Sequence, residues 1–88
     1  MQQYIKKDNY ETVQLDHEWI IMNTDHFTVT KLNDIGGFCW SLLENPQSTE
    51  ALTQSVKVQF HLDNLNLSIH IEDFLRELME YGLIQHAV

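Results

Sequence analysis

The sequence contains little cysteine, proline, glycine or basic charge, and each shortage excludes something. Among its 88 residues are one cysteine, one proline and three glycines. A single thiol, Cys39, cannot build a disulfide framework and suits a reducing compartment. No signal peptide is recognisable, because Lys6 and Lys7 are followed by polar residues, and no run approaches the roughly 20 apolar residues of a membrane span. We therefore expect a cytoplasmic protein that binds no membrane.

Basic residues number 5 against 13 acidic ones, which gives a net charge of -8. Nucleic-acid binding depends on lysine and arginine residues that neutralise phosphates, so this balance argues against a nucleic-acid partner. An acidic surface favours instead a basic partner or peptide. Hydrophobic residues make up 43% of the chain. That is enough for the core of one small domain, and we expect residues 1–88 to form a single domain.

Residue types that carry catalysis or bind metals form no recognisable motif. The five histidines are scattered along the chain, at His17, His26, His61, His70 and His86. None pairs with Cys39 or with another histidine at a zinc-binding spacing. Cys39 follows Phe38 on the apolar face of a predicted helix, where a thiol behaves as a small hydrophobe rather than as a nucleophile. We expect a chain that is not an enzyme and has no cofactor, metal or catalytic residue.

The first third of the chain is typical of β-structure. Strand-forming residues, many of them β-branched or aromatic, recur over residues 10–15, 18–23 and 27–32. The connections between these segments, at 16–17 and 23–26, are short, and short connections join antiparallel neighbours. We predict a three-stranded antiparallel sheet whose last strand lies at an edge.

The remainder of the chain is typical of three helices, which makes the fold class α+β. Asn33 can cap the first helix, and the first helix carries its apolar residues on one face. Ser48 can cap a second helix through about residue 60, and Asp63 a third through about residue 81. Gly36 and Gly37 disfavour a helix, so their presence indicates that another element packs closely against its first turn.

The third strand offers the one physical feature that points to a function. Its unpaired N–H and C=O groups could template an added strand, and Thr28, Val29 and Thr30 suit that role. Lys31 is the kind of charge that discourages unwanted pairing. Strand addition is a common mode of peptide recognition, with affinity from the backbone and specificity from side-chain pockets. A merely short edge, or one covered by a helix, is an equally open alternative.

Six segments, in their order and spacing, resemble a known family. They are WIIMN at 19–23, FTVTKLN at 27–33, Gly36, WSLL at 40–43, FLREL at 74–78 and YGLI at 81–84. The pattern is similar to that of coenzyme PQQ synthesis protein D, a family also called the RiPP recognition element. The resemblance spans about residues 10–84. It implies a winged helix-turn-helix-like fold with a three-stranded antiparallel sheet followed by three helices.

The resemblance also implies a function and a site. Family members bind the leader segment of a ribosomally synthesised precursor peptide as an added strand, in a groove beside the third helix. On this sequence the edge corresponds to Phe27, Thr28, Val29, Thr30, Lys31 and Leu32. The opposing wall corresponds to Phe74, Leu75, Leu78 and Met79, with Asp73 and Arg76 at its rim. For Phe74, Leu75 and Leu78, packing in the core is the alternative to lining the groove.

Two departures from the family pattern bear on this groove. Phe27 stands where the turn often carries glycine, and Thr-Val-Thr replaces a strand that is often aromatic, so leader specificity cannot be transferred. A chain of this length without a fused enzyme resembles members that act in lasso-peptide biosynthesis beside a leader peptidase and a cyclase. One alternative is a precursor chaperone for a radical SAM enzyme, as in PQQ synthesis. Another is a winged-helix DNA-binding protein, although Lys57 and Arg76 provide little basic charge for its helices.

Overall fold

The structure, a computed structural model, describes residues 2–87 and confirms the α+β fold with a three-stranded antiparallel sheet and three helices. In chain order the elements are β1 Gln3–Lys6, β2 Tyr10–Gln14, β3 Trp19–Asn23, β4 Thr28–Leu32, α1 Asp34–Leu42, α2 Thr49–Phe60, α3 Leu67–Glu80 and β5 Ile84–Ala87. Strands β2 to β4 and the three helices were predicted in this order. Strands β1 and β5 lie outside the prediction.

The three-stranded sheet has β3 at its centre, between β2 and β4. Both pairings are antiparallel, and Ile21 in the middle of β3 lies opposite Thr12 on one side and Thr30 on the other. Ile21 is completely buried against the helices. Because side chains alternate along a strand, Ile20 and Met22 point to the opposite face of the sheet. One face of the sheet therefore belongs to the core, and the other carries apolar side chains outside it.

A second sheet, missed by the sequence prediction, joins the two ends of the described chain. Strands β1 and β5 pair in an antiparallel arrangement, with Tyr4 opposite His86. Tyr4 also exchanges two backbone hydrogen bonds with Gln47, at 2.8 and 2.9 Å, which fastens β1 to the connection between α1 and α2. Each strand has four residues, too few to show the alternation by which strands are recognised.

The starts of α1 and α2 confirm the predicted caps. The Oδ1 atom of Asn33 accepts a hydrogen bond from the Gly36 N–H at 2.8 Å. In the same way, Ser48 Oγ accepts one from the Ala51 N–H at 3.1 Å. Each side chain satisfies a backbone donor that the first turn of a helix leaves without a partner.

The predicted start of α3 is wrong. Asp63 does not cap this helix, which begins at Leu67. The preceding residues form turns, in which Asn64 Oδ1 accepts a hydrogen bond from the Asn66 N–H at 2.8 Å and the Leu67 N–H donates to the Asn64 carbonyl at 3.1 Å. Asparagine favours such local hydrogen bonds over helical ones, and here they postpone the helix by one turn.

The core lies between the inner face of the sheet and the helices. Its largest fully buried apolar side chains are Trp40, Ile21, Leu43, Leu52, Leu75, Leu78, Leu83, Ile84 and Val56. A Cβ atom at Gly37 would overlap the indole ring of Trp19, so the glycine lets α1 approach β3 closely. This contact confirms the predicted close packing at the first turn of α1. No helix within residues 2–87 is long and apolar enough to cross a membrane.

Candidate functional site

The backbone groups of β4 that face outward can be deduced from the hydrogen bonds between β2 and β3. Successive residues of a strand direct their N–H and C=O groups to alternate neighbours. The Leu15 N–H donates to the Glu18 carbonyl at 2.8 Å, and the Thr24 N–H donates to the Asn9 carbonyl at 2.9 Å. The backbone groups of residues 18, 20, 22 and 24 therefore face β2, and those of residues 19, 21 and 23 face β4.

On β4, Thr28, Thr30 and Leu32 lie opposite residues 23, 21 and 19 and take up their hydrogen bonds. The N–H and C=O groups of Val29 and Lys31 consequently point away from β3. In the part of the chain that the structure describes, no further strand pairs on this side. β4 is therefore an edge strand that offers two donors and two acceptors to an incoming strand.

A groove of about 680 Å³ separates this edge from α3. The whole of β4 forms one wall, and His26 in the β3–β4 hairpin closes one end. The opposite wall is formed by Phe74, Glu77, Leu78, Glu80 and Tyr81. The groove thus combines a strand edge with a helix wall that carries apolar, aromatic and acidic groups.

The groove continues toward α1 into a smaller, more apolar compartment of about 340 Å³. The two spaces share Lys31, Leu32, Phe74 and Glu77. The compartment is further lined by Asn33, Ile35, Gly36, Cys39, Leu67, His70 and Ile71. An extended peptide lying along β4 could therefore insert an apolar side chain beside the Phe74 ring.

Cys39 lies at the floor of the smaller compartment, but its thiol is not a reactive group. The side chain is completely buried. Burial disfavours the thiolate and raises the pKa of Cys39 to about 12. Because the thiolate is the nucleophilic form, this thiol is inert at neutral pH. Within residues 2–87 no cluster of three His, Cys, Asp or Glu side chains could hold a metal ion.

The structure brings most of the predicted edge residues into the groove. Thr28, Val29, Thr30, Lys31 and Leu32 all line it. Phe27 lies outside β4, in the hairpin, where its backbone has a φ of 56° and its side chain is 90% exposed. The glycine-like position that the family resemblance indicated for Phe27 is thus a left-handed one.

The helix wall differs from the one inferred from the sequence. Phe74 lines the groove, whereas Leu75 and Leu78 are both 1% exposed and pack in the core, and of these two only Leu78 also borders the groove. Arg76 and Met79 are not beside β4, because they line a separate cleft on the other side of α3. Asp73 is exposed and pairs with Arg76, with 2.8 Å between carboxylate and guanidinium. The predicted wall residues Leu75 and Met79 and the predicted rim residues Asp73 and Arg76 thus do not line the groove beside β4.

The sequence prediction did not include several residues that line the groove, among them His70, Glu77 and Tyr81. Together with Phe74 these three fall at spacings of four, three and four residues, which is one stripe along a helix. This stripe lies beside the buried stripe of α3 rather than on it. The spacing itself could have identified the wall, since the stripe that flanks the core stripe is the part of a helix that can contact a ligand.

Comparisons with known proteins agree with this fold. The sequence matches the model of the family coenzyme PQQ synthesis protein D (PqqD) over residues 18–84. No curated protein matches the chain. The structure is similar to that of TbiB1 in complex with the TbiA(beta) leader peptide, with a TM-score of 0.80 and 23% identity over 92% of this chain and 94% of that chain. It is also similar to that of lasso peptide synthetase B1 complexed with the leader peptide, with a TM-score of 0.77 and 15% identity over 93% and 96% of the two chains.

Proposed function

Since the chain belongs to the family of coenzyme PQQ synthesis protein D, we propose that it binds the leader segment of a ribosomally synthesised precursor peptide. The leader adds as a strand beside β4 and lies in the groove against α3. One observation supports this most directly: the outward backbone groups of Val29 and Lys31 border a groove whose other wall holds Phe74 and Tyr81. Backbone pairing on one side with side-chain contacts on the other is how added strands are recognised.

The two walls contribute differently to affinity. Each backbone hydrogen bond to the outward groups of β4 contributes about 1 kcal/mol net. The smaller compartment beside Ile35, Leu67 and Phe74 accepts an apolar leader side chain and supplies the hydrophobic part. For a contact of about ten leader residues we expect a Kd between micromolar and tens of nanomolar, roughly -8 to -10 kcal/mol.

The leader-binding residues in this proposal come from both walls of the groove. They are Thr28, Val29, Thr30, Lys31 and Leu32 together with His70, Phe74, Glu77, Leu78 and Tyr81. Lys31 on the edge and Glu77 on the helix border both parts of the groove. A leader with a basic residue beside its apolar anchor would complement the Glu77 carboxylate, whereas the Lys31 side chain lies on the opposite face of the sheet, like that of Ile20 across from it.

We further propose that the bound leader is presented to a separate enzyme across the sheet face opposite the helices. Val13, Leu15 and Val29 are 41%, 51% and 61% exposed, and alternation places Ile20 and Met22 on the same face. Exposed apolar patches of this kind mark protein-binding surfaces. Val29 belongs both to this face and to the edge, so an enzyme docked here would lie next to the leader.

The enzymes of this proposal are a leader peptidase and a cyclase of a lasso-peptide pathway, which the likeness to lasso peptide synthetase B1 complexed with the leader peptide supports. The family name supports the alternative, a chaperone that delivers its precursor to a radical SAM enzyme in PQQ synthesis. In either setting residues 1–88 act as one cytoplasmic, non-catalytic domain without a cofactor, and turnover comes from the partner.

Fluorescence polarisation with a labelled synthetic leader tests the binding proposal. The leader is taken from the precursor gene that neighbours the gene of this chain, and a scrambled peptide of identical composition is the control. We expect saturable binding of the leader alone, in the micromolar range or tighter. If the leader binds no more tightly than about 100 μM, roughly -5.5 kcal/mol, or if the scrambled peptide binds equally well, the proposal fails.

A further inference from the structure

Phe27 combines two features that are unfavourable in the isolated chain. Its backbone lies in the left-handed region, with a φ of 56°, which glycine adopts without strain and a bulky residue rarely adopts. Its phenyl ring is also 90% exposed, so the ring gains almost nothing from burial in the fold. The presence of a phenyl ring at residue 27 is therefore not explained by packing within the free domain.

The hairpin around Phe27 imposes this conformation through contacts that do not involve the phenyl ring. Asn23 Oδ1 accepts hydrogen bonds from the Asp25 N–H at 2.8 Å and the His26 N–H at 3.1 Å. The Asn23 carbonyl accepts one from the Phe27 N–H at 2.9 Å. Asn23 Nδ2 in turn donates to the Tyr81 carbonyl at 3.1 Å, which ties the hairpin to the end of α3. The surrounding structure therefore holds residue 27 left-handed whatever its side chain.

Resting on the proposed function, we propose that Phe27 is a leader-contacting residue that determines specificity at the hairpin end of β4. The ring packs against an apolar side chain of the added strand as that strand runs past the hairpin. Phe27 lies two residues from Val29, whose outward backbone groups begin the pairing edge. Adjacent strands lie about 5 Å apart, within reach of a phenyl ring.

The composition of β4 supports this assignment. β4 itself carries no aromatic side chain, since its sequence is TVTKL. Aromatic rings provide large contact areas in peptide recognition with little loss of conformational freedom. Phe27 therefore offers, from the adjoining turn, the aromatic contact that the strand lacks.

Two substitutions of Phe27 test the proposal, each examined by fluorescence polarisation with the labelled leader and by thermal denaturation. Phe27→Gly and Phe27→Asn remove the ring and suit the left-handed backbone. We expect each to weaken leader binding about tenfold, which corresponds to roughly 1.4 kcal/mol. We also expect a Tm no lower than that of the wild-type chain, because backbone strain is relieved. Phe27→Tyr, which keeps the ring, should bind like wild type.

The control is Leu65→Asn, because Leu65 is 94% exposed and does not line the groove. It should change neither Kd nor Tm. Leader affinity that is unchanged in both the glycine and asparagine variants overturns the role of Phe27, while the binding proposal stands. A loss of affinity accompanied by a lower Tm in both variants also overturns it, because the ring would then serve the fold. A wild-type chain that fails to bind the leader overturns both proposals.

Discussion

The two edges of the three-stranded sheet offer similar backbone groups in different surroundings. β2 turns the backbone groups of Tyr10, Thr12 and Gln14 outward, just as β4 turns outward those of its residues 29 and 31. α3 lies opposite β4 across a groove of about 680 Å³. Beside β2 there is a cleft of about 350 Å³, in which Trp40 Nε1 already donates a hydrogen bond to the Thr12 hydroxyl at 3.2 Å.

A fixed lysine side chain is a further difference between the two edges. Lys6 lies in the cleft beside β2, where its Nζ atom is 3.0 Å from a carboxylate oxygen of Glu44 and 4.6 Å from the centroid of the Trp40 ring. A lysine fixed next to an edge discourages the approach of another strand. The two edges thus differ in the wall beside them rather than in the backbone groups that they offer, and the proposed leader site lies at the edge that faces α3.

Proline substitutions on the two edges should give the largest difference in leader affinity between them. Val29→Pro removes one outward N–H donor of β4 and places a ring where the leader backbone approaches. We expect leader affinity to fall about 30-fold, or roughly 2 kcal/mol, because a leader carbonyl is also left without a donor. The stability of the domain should change little, since proline is tolerated where the missing N–H faces away from the neighbouring strand. Fluorescence polarisation and thermal denaturation measure the two effects.

Gln14→Pro is the matched control, because it removes an outward donor from β2 instead. Its leader affinity should differ from wild type by less than about twofold. Thr30→Pro is a second control, since Thr30 pairs with Ile21 of β3, and we expect it to destabilise the sheet itself. Equal losses of affinity in the Val29 and Gln14 variants would show that the edges are equivalent and would contradict the assignment of the site to β4.

The edge itself was predictable from sequence, whereas the wall was only partly so. Short connections at residues 16–17 and 23–26 force neighbouring strands to be antiparallel, and that leaves β4 at an edge. Which face of α3 meets β4 depends on how the helix is rotated. The spacing of the apolar residues identifies which stripe of α3 is buried, and Leu75 and Leu78, which belong to that stripe, lie in the core. The spacing does not reveal what lies beside that stripe, so Arg76 was expected at the rim of the groove, whereas it lines another cleft.

The second sheet illustrates a different limit. β1 and β5 come from opposite ends of the chain and meet only because the core between them has formed. Their pairing is fastened by backbone bonds from Tyr4 to Gln47 and from Lys6 to Leu43. Such bonds depend on position and not on residue type, since every residue except proline carries the same donor and acceptor. Composition and residue spacing therefore do not predict these backbone hydrogen bonds.

Substitutions on the two sides of α3 provide a second way to test the comparison. Phe74 lines both parts of the groove, so Phe74→Ala should weaken leader binding about tenfold, or roughly 1.4 kcal/mol. It should also lower the free energy of unfolding by about 2 kcal/mol, because the ring is partly buried. Affinity is measured by fluorescence polarisation and stability by urea denaturation.

Arg76→Ala is the control for this experiment, because Arg76 lies on the same helix and lines the cleft away from β4. It should leave leader affinity within about twofold of wild type. Arg76 also forms an exposed ion pair with Asp73, and exposed pairs contribute less than about 1 kcal/mol, so the domain stays folded. A larger loss of affinity with Arg76→Ala than with Phe74→Ala would move the site to the other side of α3.

The smallest expected effect concerns the floor of the groove and is seen only at alkaline pH. Burial raises the pKa of Cys39 from 9.0 to about 12 in the folded chain. Below pH 9 the thiol is protonated in both states and the stability is unaffected. Above it the unfolded chain releases the proton first, so stability falls as pH rises toward 12, by about 1 kcal/mol at pH 10. Urea denaturation should show this loss in the wild type and a smaller one in Cys39→Ala, in which other groups still titrate. If the free energy of unfolding fell equally with pH in both proteins, the Cys39 thiol would have to be solvated. Water would then reach the floor of the groove beneath Phe74, which would contradict its role as an apolar wall for a bound peptide.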